Sequence, residues 1–209
     1  MNVLVKVCGM TLPEQVAQID ALGVDMLGFI FAAKSPRNVA PEHVAAIPRG
    51  RARRVGVFVG QDAAEVRRIM DVAKLDLAQL HAGQDQAFCK EVGPERVIKV
   101  FWPQRLGSIL ALEAEMAAFA KSCTFMLLDA GSSGGGHGVS LDFSSLSGLA
   151  APKPWLLAGG LSPENIGEAS RLASPNGFDL NSGVERSPGI KDISQVKLAL
   201  QRLTHDKSF

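Results

Sequence analysis

The sequence predicts a closed (β/α)8 barrel: eight parallel strands in a ring, wrapped by helices. Three observations lead there. Eight short apolar segments recur along the 209 residues, stretches with helix-start and helix-stop residues separate them, and the repeat is about 26 residues, short for this barrel but adequate. A doubly wound sheet is the structural alternative. It usually has fewer strands and often a glycine-rich fingerprint after the first, whereas here the first strand leads into "CGMT" without a GxGxxG. With no linker-like stretch and no repeat beyond the strand–helix rhythm, residues 1–209 read as a single domain.

In order, the first strand is "VLVKVC" (3–8). Thr11 and Glu14 then have the spacing of a capping box, and Gly23 stops the helix that follows. The second and third strands are "DMLGFIF" (25–31) and "RRVGVFV" (53–59), and the basic run "RGRARR" (49–54) between them reads as a solvated loop. Asp62 and Glu65 open a helix in which Val66, Ile69, Met70 and Ala73 share one face. Strands four to eight are "LDLAQLH" (75–81), "RVIKVFW" (96–102), "TFMLLDA" (124–130), "PWLLAGG" (154–160) and "GFDLNSG" (177–183). Ser162 with Pro163 opens one further helix as cap and first residue. Asp192 opens the last, where Ile193, Val196, Leu200 and Leu203 form the apolar stripe.

Composition excludes several classes. Lys and Arg total 22 against 21 Asp and Glu, so no basic surplus points to nucleic acid or an anionic membrane. The three cysteines, Cys8, Cys89 and Cys123, have neither CxxC spacing nor paired histidines, which argues against zinc and for a reducing compartment. There is no signal-peptide pattern and no apolar run of membrane-spanning length. A soluble, cytoplasmic, monomeric protein acting on a small molecule is expected.

A barrel carries its chemistry at the C-terminal strand ends, with a phosphate site near strands seven and eight. Strand seven ends at Gly159 and Gly160, and strand eight at Ser182 and Gly183, which could open a short extra helix. Either pair could be ordinary turn residues, but two such turns together make an anion cradle of free N–H groups. Asp129 ends strand six after a run of apolar residues, as a loop or cap aspartate or as a general acid at a low-dielectric rim. The glycine-rich segment 131–138 after it reads as a lid. Arg37, after strand two, is either a solvated loop arginine or a fork for a carboxylate. His81 ends strand four and could orient substrate or make a structural hydrogen bond, while Cys89 and Cys123 read as packing residues. Cys8 closes the first strand, and alternation puts Lys6 on its face. Asp179 shares a face of strand eight with Asn181, and strands eight and one adjoin in a closed barrel. Lys6 and Asp179 are therefore expected to pair beneath Cys8, with Asp179 also counted among the substrate-binding positions.

Taken in order, "VKVCGMT", "GFIFAAKSPRNVAPE", "RVGVFV", "AQLH", "GGHGVSLDF", "LAGGLSPENI" and "FDLNSGVERSPGIKD" make the chain resemble the phosphoribosylanthranilate isomerase family of tryptophan biosynthesis. The resemblance covers nearly the whole chain. It departs at Ala82, where the family often has glycine, and at Val139, where it often has lysine. It implies a barrel without cofactor or metal that performs an Amadori rearrangement of N-(5-phosphoribosyl)anthranilate. It also implies Cys8 as general base, Asp129 as general acid and Arg37 near the anthranilate carboxylate, with Gly159, Gly160, Ser182 and Gly183 at the phosphate. A thiol of ordinary pKa would be only ~3% thiolate at pH 7, so positive potential near Cys8 is expected. Competing readings are another sugar-phosphate isomerase or lyase barrel and a non-catalytic phosphate-ligand-binding barrel. The related aminoimidazole carboxamide ribotide isomerase resembles a pattern with two aspartates, against which Cys8 argues. A non-catalytic copy would be free to lose Cys8 or Asp129.

Overall fold

The computed structural model describes residues 3–129 and 142–205. The expected lid segment, 131–138, lies outside the described residues, as does Val139. Eight parallel strands close into a barrel in chain order: β1 (Leu4–Val7), β2 (Met26–Phe31), β3 (Arg53–Phe58), β4 (Leu77–Leu80), β5 (Val97–Phe101), β6 (Phe125–Asp129), β7 (Trp155–Ala158) and β8 (Gly177–Leu180). Each falls within one of the eight apolar segments. The seam closes with Lys6 opposite Asp179 and Val7 opposite Leu180.

Among the described residues seven helices surround it: α1 (Pro13–Asp20), α2 (Pro41–Ala46), α3 (Ala63–Val72), α4 (Gln86–Val92), α5 (Ile109–Ala118), α6 (Ile166–Ala173) and α7 (Ile193–His205). Among the described residues, a single 3-10 turn, Phe143–Leu146, stands between β6 and β7 and packs on α6. After β8 come a 3-10 turn, Ser182–Val184, and a small antiparallel hairpin, β9 (Glu185–Ser187) with β10 (Ile190–Lys191).

Strand alternation divides the apolar residues into two cores. Met26, Val55, Leu77, Ile98, Val100, Leu127 and Leu156 fill the barrel interior, while a larger cluster that includes Phe29, Phe58, Phe101 and Phe178 lies between strands and helices.

Several helix starts differ in detail from the sequence reading. Asp62 caps α3, its carboxylate accepting from the Glu65 N–H, and Asp192 caps α7 through the N–H groups of Ser194 and Gln195. Thr11 does not cap α1. Leu12 occupies the cap position, Pro13 starts the helix, and the Thr11 hydroxyl donates to the Gly189 carbonyl across the barrel seam at 2.6 Å. A long-range partner has replaced the local one. The regular part of α6 begins at Ile166, although its first turn already closes on the Ser162 carbonyl.

The basic run is not a solvated loop throughout. Arg53 and Arg54 begin β3. Arg54 is buried, and its guanidinium donates to the carbonyls of Val44, Ile47 and Pro48, tying off the C-terminal end of α2. Arg53 lies 5.0 Å from the centre of the Phe125 ring, across the lower end of the barrel. Charge alone gives a solvated reading, whereas a guanidinium satisfies several buried carbonyls at once. Arg54→Met is therefore expected to lower unfolding stability by about 2 kcal/mol in urea denaturation, because buried carbonyls lose a charged donor. An unchanged midpoint would contradict this role.

Candidate active site

At the C-terminal ends of the strands a cavity of about 400 Å³ opens. Cys8, Arg37, Asp129, Gly159, Gly160, Asp179 and Ser182 all line it. These side chains come from β1, β6, β7, β8 and the loop after β2, and only ring closure brings them together. Gly183 is not among the lining residues. A Cβ there would meet the Leu161 carbonyl oxygen at 2.1 Å and the Ser162 Cβ at 3.0 Å, so the two loops approach too closely for a side chain. Gly159 and Gly160 adopt φ of 97° and 64°, which turns the chain sharply at the rim.

The floor of the cavity is ionic. Lys6 is fully buried, and its Nζ donates to both oxygens of Asp179 at 2.9 and 2.8 Å, as strand alternation requires. Burial opposes its charge, but attraction to Asp179 and Cys8 outweighs that and holds the ammonium above its ordinary pKa. The inner face of β2 makes room for this arrangement at Gly28. A Cβ there would lie 2.7 Å from Cys8 Sγ and 3.1 Å from Lys6 Nζ.

The positive potential expected near Cys8 is present, but it does not bring the thiol down. Burial pushes its thiol up from the ordinary value. Lys6 and Lys191 pull it down and Asp179 pushes it further up, and burial prevails. Because burial outweighs both cations, the free protein carries Cys8 as a thiol.

Asp129 faces the cavity from β6 and is buried. His81 Nε2 lies 3.4 Å from Asp129 Oδ2, and Gln79 Nε2 lies 3.3 Å from His81 Nδ1. Burial, then the positive charge of Lys6, pushes the His81 imidazole down to about 4. His81 therefore stands beside Asp129 as a neutral group. Trp102 supports it edge-on at 5.5 Å between ring centres, and Arg105 lies over the Trp102 ring.

At the rim, Arg37 is not a solvated loop arginine. It forms a fork with Glu185: Nε lies 2.9 Å from Oε1 and Nη2 lies 2.6 Å from Oε2. Glu185 also accepts from Lys191 Nζ at 2.7 Å, and Lys191 donates to Asn181 Oδ1 at 2.9 Å. Sequence reading did not single out Gln79, Asn181, Glu185 or Lys191. Alternation from His81 points to Gln79 and alternation from Asp179 to Asn181. Glu185 and Lys191 flank a turn in "VERSPGIK", where charges ordinarily face solvent, so local pattern gave no signal for them.

Comparison with known proteins points to one family. A family model described as N-(5'phosphoribosyl)anthranilate (PRA) isomerase matches residues 5–202. An N-(5'-phosphoribosyl)anthranilate isomerase of Maridesulfovibrio salexigens is 51% identical over 199 residues, covering 95% of this chain and 97% of that one. The crystal structure of phosphoribosyl anthranilate isomerase from Thermus thermophilus superposes with a TM-score of 0.83 at 34% identity, covering 97% of this chain and 98% of that one. A phosphoribosyl anthranilate isomerase in complex with reduced 1-(o-carboxyphenylamino)-1-deoxyribulose 5-phosphate gives a TM-score of 0.83 at 27% identity, covering 98% and 100%.

Two stability effects follow from the buried charges. Lys6→Met leaves Asp179 uncompensated and should cost about 3–5 kcal/mol in urea unfolding, most of it recovered in Lys6→Met/Asp179→Leu. Equal losses in both variants would show that packing, not charge pairing, is at stake. For His81, the unfolded chain takes up a proton near 6.5 and the native protein only near 4. Between these values the unfolded state binds more protons, so this contribution is full above 6.5 and is lost as pH falls to about 4, ~3 kcal/mol in all. His81→Gln should lack that part of the acid destabilisation when urea midpoints are compared across pH. Parallel curves for the two proteins would contradict a neutral His81.

Proposed function

The chain belongs to the N-(5'-phosphoribosyl)anthranilate isomerase family, and from that premise we propose that Cys8 and Asp129 are the base and acid of its isomerase reaction. The supporting observation is that these two groups line one cavity from strands that are not neighbours: β7 and β8, with their glycine-bearing loops, lie between β6 and β1. An acid and a base that act on different atoms of one substrate need such a separation.

In this reading the substrate is N-(5-phosphoribosyl)anthranilate. Its phosphate takes backbone N–H groups around Gly159, Gly160, Ser182 and Gly183, and its carboxylate takes Arg37. Asp129 gives its proton to the furanose oxygen, the C1–O bond breaks with its electrons going to that oxygen, and the nitrogen lone pair makes a protonated imine at C1. That cation acidifies the hydrogen on C2. The Cys8 thiolate removes it, leaving an enolamine. A proton then returns at C1 and the C2 hydroxyl loses its own, giving 1-(2-carboxyphenylamino)-1-deoxyribulose 5-phosphate. Asp179 faces the same cavity and acts in this reading by holding Lys6 under Cys8.

The raised thiol has two opposed effects. Fewer molecules carry the thiolate at neutral pH, but each thiolate is a stronger base toward carbon. The substrate's imine cation would form beside it and favour the charged sulfur. We take residues 1–209 as one catalytic unit that needs no cofactor and works as a monomer in the cytoplasm. Among the described residues no helix is long and apolar enough to cross a membrane, and the large exposed apolar side chains are Val59, Leu110, Leu172 and Leu198.

Loss of phosphoribosylanthranilate fluorescence follows turnover directly. Cys8→Ser and Asp129→Asn should each lower kcat at least about 10²-fold. In the unaltered protein kcat/KM should climb with pH through and beyond the ordinary thiol range, because burial raises Cys8. Wild-type turnover in either variant would refute the assignment of that residue.

A further inference from the structure

We propose that Glu185 is a positioning residue, which fixes the Arg37 guanidinium as a rigid fork for the substrate's aromatic carboxylate, with Lys191 as the counter-charge that keeps Glu185 ionised. This rests on Arg37 being the carboxylate partner, as in the reading above.

Arg37 lies in the segment between β2 and α2, with no regular element of its own to orient it. A long side chain on such a loop loses rotamer entropy whenever it binds, unless something has already fixed it. Glu185 does so from 148 residues away in sequence, with a planar, two-point contact: both its oxygens accept from Nε, and Oε2 also accepts from Nη2. This occupies the Nε/Nη2 edge. The Nη1 donors have no hydrogen-bond partner among the described residues, and Arg37 lines the cavity.

Glu185 is itself held on several sides. Lys191 Nζ donates to Oε1 at 2.7 Å and the Gly189 N–H donates to the same oxygen at 3.1 Å. Lys191 and Glu185 have 0% and 4% of their side chains exposed, so neither can relax into water. Burial opposes the Glu185 charge, but the bonds and charges of Arg37 and Lys191 hold its carboxyl below the usual range. The cluster therefore sets two cations, Arg37 and Lys191, against one carboxylate. The surplus positive charge lies beside the cavity, where an incoming carboxylate balances it.

The cluster also has a fixed register against the base. Gly9 follows Cys8 with φ of 76°, and a Cβ there would lie 2.7 Å from both Arg37 Cδ and Asn181 Oδ1 and 3.4 Å from Lys191 Nζ. The fork thus packs directly on the turn that carries Cys8. A carboxylate seated on it sets the distance between the aromatic end of the substrate and the sulfur.

The test uses two inhibitors: the reduced product analogue with its ortho-carboxylate, and the same phenylamino sugar phosphate without it. The inhibition constant of the carboxylate-free analogue divided by that of the carboxylate-bearing one measures carboxylate recognition alone. Glu185→Gln should lower that ratio at least tenfold and raise KM more than it lowers kcat, while binding of the carboxylate-free analogue changes by less than about twofold. Because Glu185→Gln strands Lys191, Glu185→Gln/Lys191→Met serves as a charge-balanced partner and should show the same loss of ratio. In an Arg37→Ala background, Glu185→Gln should add almost nothing, since it acts through Arg37. An unchanged ratio in the Glu185 variants, or additive losses in that background, would overturn the proposal while leaving Arg37 as the carboxylate partner. An unchanged ratio in Arg37→Ala itself would overturn the reading of Arg37, and the positioning role with it.

Discussion

Much of the site depends on one buried ion pair. Lys6 and Asp179 meet at the seam where β8 closes onto β1, on the floor of the cavity and directly below Cys8. Two charges without water are costly unless each satisfies the other, and a pair of apolar residues would often serve stability as well or better. The pair is thus better understood through what stands on it. It fixes an ammonium against the base of the cavity at a point where the barrel cannot breathe, and Gly28 makes room for that ammonium and the Cys8 sulfur together. The arrangement is electrostatically moderate. The carboxylate that holds Lys6 in place also offsets part of its effect on the thiol.

The same economy of charge runs through the cavity. His81, next to Asp129, is kept neutral by burial and by the cations around it, so it stands against the carboxyl group as an uncharged partner. At the rim, Glu185 offsets part of the positive charge of Arg37 and Lys191 and leaves a surplus beside the opening. From floor to rim the site passes from a balanced pair, past the neutral His81, to a net cationic edge. That gradient suits a ligand whose charges sit at its two ends and whose reacting atoms lie between them.

Rigidity is distributed likewise. Cys8, Gln79, His81, Asp129 and Asp179 stand on strands or immediately after them, where backbone pairing with neighbours on both sides limits their movement. Arg37 stands on a loop and gains its order from Glu185 and Lys191 on a segment distant in the chain. The two loops near the glycines approach closely at Gly183 and Leu161. Groups that would do chemistry are fixed by the sheet, and groups that would hold the ligand are fixed by contacts between loops.

The sequence by itself determined the strand count, the strand order and the side each strand residue faces. Those follow from apolar periodicity and the two-residue repeat of a strand, which act locally. The Lys6–Asp179 pair was legible for that reason: alternation put each inside, and ring closure made their strands neighbours. Local rules fell short where a polar group found its partner far along the chain. Thr11 was given to a helix cap and instead bonds the Gly189 carbonyl; Arg54 was given to solvent and instead ties off α2. Glu185 and Lys191 look like surface charges until the last hairpin folds over the first turn. The ionisation of Cys8 likewise needed the three-dimensional structure. Residue identity tells which charges are available, but whether burial or a neighbouring ammonium prevails depends on how much water the closed barrel excludes and on what already neutralises that ammonium.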